Sequence, residues 1–76
     1  MEMANICGPR VKIAREQQKM DQGDLAAALH VDFNINIDQS DVSEIERQVR
    51  GIKDFELNAI AHILSVSPSW LMRGDE

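Results

Sequence analysis

Apolar residues recur every three or four positions along most of the chain, which is the spacing of α-helices rather than of β-strands. Leu25, Leu29 and Phe33 form one such stripe and predict a helix over residues 22–33. Because Phe33 continues the stripe, we expect its side chain to pack into the core and to anchor the segment that follows. The pattern as a whole predicts an all-α protein.

A shorter stripe of Val42, Ile45 and Val49 predicts the next helix. Asp38 is a suitable N-cap for this helix. Gly51 suits the position just after a helix end, so we expect the helix to run to Val49 or one residue further.

The connection between these two helices is longer than a tight turn. Asn34 and Asn36 tolerate left-handed backbone conformations, which predicts a turn. The alternation of apolar and polar residues in "FNINID" also permits a short extended segment. We expect an irregular connection over residues 34–38 that leaves the first turn of the next helix exposed.

Three further helices complete the pattern. Pro9 suits the first position of a helix that runs to about Lys19. Asp54 and Ser67 are suitable N-caps for two later helices, and Pro68 suits the first turn of the last one. The residues of these two helices that we expect to face the core are Leu57, Ile60, Ala61, Leu64, Trp70 and Leu71. Five short helices predict a compact five-helix bundle.

The composition favours one small intracellular domain. The chain has 76 residues, 43% of them hydrophobic, which is enough for a single core. We expect residues 1–8 to be an N-terminal extension and residues 9–76 to be the domain. Cys7 is the only cysteine, so an internal disulfide is excluded and a reducing cytoplasm is favoured. No apolar run approaches the roughly 18–20 residues of a membrane-spanning helix.

The net charge of −5 is unevenly distributed. Residues 47–53 contain three basic residues and no acid, whereas residues 21–46 contain seven acids and no lysine or arginine. Four of these acids, Asp21, Asp24, Asp38 and Asp41, have the spacing of helix caps and first-turn acids, and this role requires no functional explanation.

The order of the motifs is informative about the family. The chain contains "RVKIAREQQKMDQGDLA", then "SDVSEIER", then "DFELNAIAHILSVSPSWLMRGD". In this order and spacing they resemble the Cro/repressor-type (Xre-like) helix-turn-helix family. The resemblance implies a lambda-repressor-like fold whose second and third helices form the helix-turn-helix. The longer connection and the "D-x-E-L" start of the fourth helix resemble one subgroup of that family.

The resemblance implies a function and a structural ion pair. The third helix would enter the major groove of double-stranded DNA, and two copies would bind an operator with two half-sites. Glu46 would pair with Arg15 of the first helix and orient the third helix against it. Gln48 stands where relatives commonly have glycine, which is why we expect the third helix to continue past it.

The candidate DNA contacts follow from this arrangement and from side-chain chemistry. Small polar side chains on the first turns of a helix can reach base edges, and basic side chains or helix N-termini can hold phosphates. The candidate base-reading residues are Gln39, Ser40, Ser43, Glu44 and Gln48, and the candidate phosphate contacts are Arg10, Gln22, Arg47, Arg50 and Lys53. Ordinary solvent exposure is an alternative role for each of them, and for Glu44 it is the favoured one.

A protein-interaction module on the same fold, similar to an antitoxin or an adaptor, is the alternative function. In that case the acidic face of the third helix would bind a basic partner. Positive charge around that helix would favour DNA, whereas one continuous acidic face would favour the protein partner.

No pattern in the sequence indicates an enzyme. His30 and His62 lie on different predicted helices without a partner at metal-ligand spacing. Cys7 has no basic neighbour closer than Arg10, and no glycine-rich phosphate loop is present. We therefore expect no catalytic residues, no metal ion and no cofactor.

Overall fold

The computed structural model describes residues 3–74 and contains five α-helices in that range. They are α1 (Gly8–Gln17), α2 (Gln22–Phe33), α3 (Gln39–Glu46), α4 (Asp54–Leu64) and α5 (Pro68–Arg73). No β-strand occurs in this range, and the prediction of an all-α five-helix bundle is confirmed. No helix within these residues is long and apolar enough to cross a membrane.

The core lies where the five helices meet. α3 packs against α2 and α1, and α4 packs against α2, α1 and α5. The largest fully buried side chains are Val11, Leu25, Leu29, Val42, Ile45, Ile60, Leu64 and Leu71. Each such side chain contributes roughly 1.5–3 kcal/mol when it leaves water, so these stripes hold the short helices together. α3 is thereby fixed with one face on the core and the other at the protein surface.

Reciprocal capping boxes start both α2 and α3. Asp21 Oδ1 accepts from the Asp24 N–H at 2.8 Å, and the Asp24 carboxylate accepts from the Asp21 N–H at 2.9 Å. Asp38 and Asp41 make the equivalent bonds at 2.9 and 3.1 Å. The predicted capping role of these four acids is confirmed. Each box satisfies N–H groups that the first turn of a helix leaves without a partner.

The connection over residues 34–38 is irregular, as expected, and includes a tight turn in which the Ile37 N–H donates to the Ile35 carbonyl at 3.2 Å. It begins with Asn34 in the left-handed conformation (φ 54°), after which Ile35 and Ile37 are buried and Asn36 between them is exposed. The expected anchor was wrong: Phe33 is 38% exposed and makes an edge contact with His62 at the rim of the bundle. The two isoleucines, and not Phe33, hold the connection to the core.

α3 is shorter than predicted. It ends at Glu46, because Gln48 adopts a left-handed conformation with φ 65° and stops the helix. Val49 therefore lies outside the helix and is 52% exposed. Gly51 does not cap α3, because the helix ends before it. The conformation at Gln48 is the one that glycine adopts most readily, so the glutamine there is held by its contacts.

Two other helix starts differ by one residue from the prediction. α1 begins at Gly8, one residue before Pro9. α4 begins at Asp54 itself, and the carboxylate of Glu56 accepts from the Lys53 N–H at 2.9 Å. The predicted start of α5 is confirmed, because Ser67 Oγ accepts from the Trp70 N–H at 3.0 Å. Leu71 is fully buried, whereas Trp70 and Leu57 are only partly buried.

Candidate nucleic-acid interface

The outer face of α3 carries four of the candidate base-reading residues. Gln39 and Ser40 are exposed on its first turn, and Ser43 and Glu44 follow, half-buried, one turn later. The apolar side chains of Val42 and Ile45 face the core, which turns these polar residues outward. The helix can therefore present amides, hydroxyls and one carboxylate to a partner surface.

A chain of hydrogen bonds connects the interior to the first residue of α3. Arg15 Nε donates to Glu46 Oε2 at 2.7 Å, and Arg15 Nη2 donates to Glu46 Oε1 at 3.0 Å. Glu46 Oε1 also accepts from Gln22 Nε2 at 3.0 Å, and Gln22 Oε1 accepts from Gln39 Nε2 at 2.7 Å. The ion pair expected between the first and third helices is present, and it orients two candidate DNA contacts.

This ion pair is buried. The side chains of Arg15 and Glu46 are 9% and 4% exposed. The hydrogen bond to Glu46 raises the pKa of Arg15 above its ordinary value. Arg15 Nη1 also donates to the Met20 carbonyl at 2.8 Å, so the guanidinium links α1, α3 and the turn that precedes α2.

The side chain of Gln48 contacts the start of the chain, unlike those of the other candidate base-reading residues. Its Nε2 donates to the backbone oxygen of Asn5 at 3.1 Å and contacts Met3 Sδ at 3.0 Å. The Ala4 N–H donates to the Gln48 carbonyl at 2.9 Å. These bonds tie Gln48 to the N-terminal segment, defined here as residues 3–7. The division of the chain at residue 8 stays a prediction, but this segment contacts the end of α3.

Arg50 is part of an ion-pair cluster that the sequence analysis missed. Its guanidinium donates two bonds of 3.2 Å to the two carboxylate oxygens of Glu56, and its Nε lies 3.6 Å from Asp41 Oδ1. It also donates to the Gly51 carbonyl at 2.8 Å. Arg50 thus joins α3 to α4, and little of its donor capacity is left for a phosphate. The available signal was an acid, Glu56, in the first turn of the helix that follows the basic residues 47–53.

Glu56 is only 5% exposed, and its charge depends on this cluster. Burial by itself would raise the pKa of Glu56, but the hydrogen bonds from Arg50 and from the Lys53 N–H outweigh it. The pKa of Glu56 is therefore lowered below 4.5. A carboxylate with a lowered pKa in the folded state stabilises the protein above its unfolded pKa, and this contribution is lost as the pH falls through the folded value.

Glu56→Gln should therefore lower the free energy of unfolding at about pH 7, and the difference from the wild type should shrink as the pH falls through the folded pKa of Glu56. Urea unfolding at several pH values measures both quantities. Asp32→Asn, at an exposed position of α2, is the matched control and should show little difference at any pH. A difference for Glu56→Gln that persists at low pH would mean that packing, and not the charge, is responsible.

The remaining candidate phosphate contacts lie on different parts of the surface. Arg47 is exposed at the end of α3, and its Nε donates to Ser43 Oγ at 3.3 Å. Lys53 is exposed before α4, with its ammonium 5.9 Å from the centre of the Phe55 ring. Arg10 Nη1 donates to the Leu71 carbonyl at 3.4 Å, near the end of α5. Arg47, which directly follows α3 and bonds Ser43, is the basic residue best placed beside that helix.

Neither a metal site nor a reactive cysteine emerges from the described part of the chain. No group of three or more His, Cys, Asp or Glu side chains in residues 3–74 is arranged to hold a metal ion. Cys7 is buried, and burial raises the pKa of its thiol, which disfavours the reactive thiolate.

Comparison with known proteins gives consistent results for the fold. The sequence profile of the helix-turn-helix family matches residues 11–71. The structure of the P22 c2 repressor protein in complex with a synthetic operator has 24% sequence identity and a TM-score of 0.78, covering 93% of this chain and 98% of the repressor. A hypothetical transcription factor from Neisseria has 20% identity and a TM-score of 0.75, covering 93% of this chain and 75% of that protein. No curated protein matches the sequence.

The similar structures also include those of an enzyme. Hydroxypropylphosphonic acid epoxidase from S. wedmorenis has 28% identity and a TM-score of 0.75, covering 92% of this chain but only 34% of the enzyme. The likeness therefore concerns about a third of that protein. The family profile covers most of this chain, and the fold is that of a repressor along nearly its whole length. The chain belongs to the helix-turn-helix family of the Cro/repressor type.

Proposed function

We propose that the chain is a cytoplasmic, sequence-specific DNA-binding transcription regulator that places α3 in the major groove. The observation that carries the proposal is the bonded pair of glutamines, Gln22 and Gln39, at the first positions of α2 and α3. Glu46 and Arg15 hold this pair from the interior. A side chain that is already oriented loses less freedom when it binds, so a fixed pair suits selective recognition.

The glutamine pair offers complementary groups to adenine and to a phosphate. One N–H of Gln39 Nε2 is used by Gln22, which leaves its second N–H and its Oε1 for a base edge. Those two groups match N7 and the 6-amino group of adenine, the bidentate contact that glutamine makes in the major groove. Gln22 retains one N–H, next to the first backbone N–H groups of α2, and this combination suits a phosphate oxygen.

The charges favour selective binding over strong binding. Asp38 and Asp41 are engaged in the cap of α3, and Asp41 also lies beside Arg50. Glu44 is the acid of α3 that remains for the interface, where it would accept a hydrogen bond from cytosine or oppose a phosphate. With Arg50 engaged by Glu56, Arg47 and Lys53 supply the positive charge beside α3. Affinity for random DNA, which depends on phosphate contacts, should therefore be low.

Size supports binding as a homodimer. The Cα atoms of one copy span 31 × 26 × 22 Å, and half-sites on one face of DNA are roughly 34 Å apart. Two copies bound at that spacing would touch once side chains are included. A partly apolar groove is lined by the N-terminal segment, including Ile6, and by Ile52, Leu57 and Met72. This groove is our candidate for the contact between the two copies.

A selection experiment tests the proposal. A duplex is selected from a random library by the wild-type protein, and its affinity is compared with that of a scrambled duplex at several salt concentrations. Gln39→Ala should weaken binding to the selected duplex by about 1–3 kcal/mol and leave the scrambled duplex nearly unchanged. Arg47→Ala should weaken both and reduce the salt slope by about one unit if it holds one phosphate.

Gln17→Ala is the matched control, because Gln17 is an exposed glutamine at the end of α1. The affinity of the Gln17→Ala variant for both duplexes should equal that of the wild type. A selected duplex cut to a single half-site should bind more weakly than the intact one if two copies bind together. If no duplex is selected even at low salt concentration, the proposal is wrong, and an interaction module whose partner contacts Glu44 replaces it.

A further inference from the structure

Asn5 occupies a central position between α1 and the end of α3. Its Oδ1 accepts from the N–H groups of Cys7 and Gly8 at 3.0 and 2.8 Å, where α1 begins. Its Nδ2 donates to the carbonyls of Ile45 and Arg50 at 3.0 and 2.7 Å. One side-chain amide has two donors and two acceptor positions, so the full capacity of Asn5 is used.

The two carbonyls that Asn5 holds lie on either side of the left-handed residue Gln48. One belongs to the last turn of α3, and the other follows the turn that carries Arg47. α3 has only eight residues, and a helix of that length is unstable unless its neighbours hold it. Its start is fixed by the capping box and by the glutamine pair. Asn5 provides the corresponding attachment at its end.

We infer that Asn5 is a positioning residue for DNA recognition: its amide fixes the end of α3 and the turn with Arg47, although Asn5 itself contacts no DNA. The inference rests on the proposed function. The N-terminal segment then belongs to the recognition unit, because its backbone also exchanges hydrogen bonds with Gln48.

The two halves of the Asn5 amide can be separated by substitution. Asn5→Ser keeps an acceptor for the N–H groups at the start of α1 but loses the two amide N–H groups that bond the carbonyls, since its shorter side chain carries a single O–H. Asn5→Asp keeps the acceptors fully, since aspartate and asparagine are equally good at capping, and it also lacks the donors. If Asn5 acts only on α1, Asn5→Asp should behave like the wild type. If it positions α3, both variants should be impaired.

The experiment measures the ratio of affinities for the selected and the scrambled duplex. The ratio should fall about tenfold in Asn5→Ser, as expected when two hydrogen bonds to α3 and its following turn are lost. The added charge of Asn5→Asp acts on both duplexes alike, so the same ratio identifies its positioning effect. Amide hydrogen exchange should speed up over residues 45–49 in both variants and stay unchanged in α4 and α5.

Ser67→Ala is the matched control. It removes a side-chain bond to a backbone N–H at the start of α5, a helix that packs mainly on α4 and α1. An equal fall of the affinity ratio in Ser67→Ala, or an unchanged ratio in both Asn5 variants, would overturn the inference. If the wild type selects no duplex, the proposed function fails and the role in recognition fails with it. Unchanged exchange over residues 45–49 in both variants would overturn the claim that Asn5 fixes the end of α3.

Discussion

Arg15→Ala should lower the free energy of unfolding by about 3 kcal/mol, because it leaves the carboxylate of Glu46 buried without its charged partner. The Glu46 side chain is 4% exposed, so water cannot replace the guanidinium without a rearrangement. A domain of this size has a total stability of roughly 5 kcal/mol, so the variant should be close to unfolding at room temperature. Urea unfolding measures the loss, and an unchanged m-value shows that the unfolded reference is the same.

Arg47→Ala is the control for removing an arginine from this protein. Arg47 is exposed, and its bond to Ser43 is between two surface side chains, so the expected change is within about 0.5 kcal/mol. A loss for Arg15→Ala no larger than this would mean that Glu46 finds other partners, and the ion pair would not organise α1 and α3.

The double variant Arg15→Met/Glu46→Leu separates stability from recognition. Apolar residues of similar size often replace a buried ion pair without loss of stability, so this variant should recover most of what Arg15→Ala loses. Gln22 would still lose the acceptor that holds it, and with it the support of Gln39. If the double variant is stable but no longer distinguishes the selected from the scrambled duplex, the ion pair of Arg15 and Glu46 contributes to recognition.

Features determined by local interactions could be predicted from the sequence. The starts of α2 and α3 follow from Asp–x–x–Asp spacing, because a capping box needs only residues of the same turn. The helical stripes predicted most of the core for a similar reason. The length of α3 could not be predicted in this way. A glutamine in the left-handed conformation is unfavourable locally, and contacts with Met3, Ala4 and Asn5, distant in sequence, help to stabilise it.

The candidate site was predicted only in outline. The outward face of α3 follows from its apolar stripe, but the sequence alone does not say which basic side chains are already engaged. Arg50 and Lys53 look equivalent in the sequence, yet Arg50 bonds the buried Glu56 while Lys53 stays exposed. Likewise, the apolar stripe of α2 predicted Phe33 as the anchor of the connection, but Ile35 and Ile37 are the residues that are buried in the core.

Gly8→Ala should lower the free energy of unfolding by about 2 kcal/mol or more, although alanine is ordinarily the better residue in a helix. Gly8 has an unremarkable helical conformation, so its backbone does not require glycine. The small space around Gly8 requires glycine, because a Cβ at this position would overlap the carbonyl oxygen of Ile45 and lie 2.8 Å from that of Glu46. Both are backbone atoms of α3, which cannot rotate away as a side chain can, so α1 and α3 would have to separate.

Gly23→Ala is the matched control for this prediction, because Gly23 lies in the first turn of α2 as Gly8 lies in that of α1. Its Cβ would be 3.3 Å from Asp21 Oδ1, a side-chain atom that can move, and the expected change in stability is within about 0.5 kcal/mol. Separation of α1 from α3 would also strain the bonds of Arg15 and Gln22 to Glu46, so Gly8→Ala should lose selectivity for the selected duplex at temperatures where it is still folded. Thermal unfolding and the two-duplex assay measure these effects, and a Gly8→Ala protein as stable and as selective as the wild type would refute the close approach of the two helices.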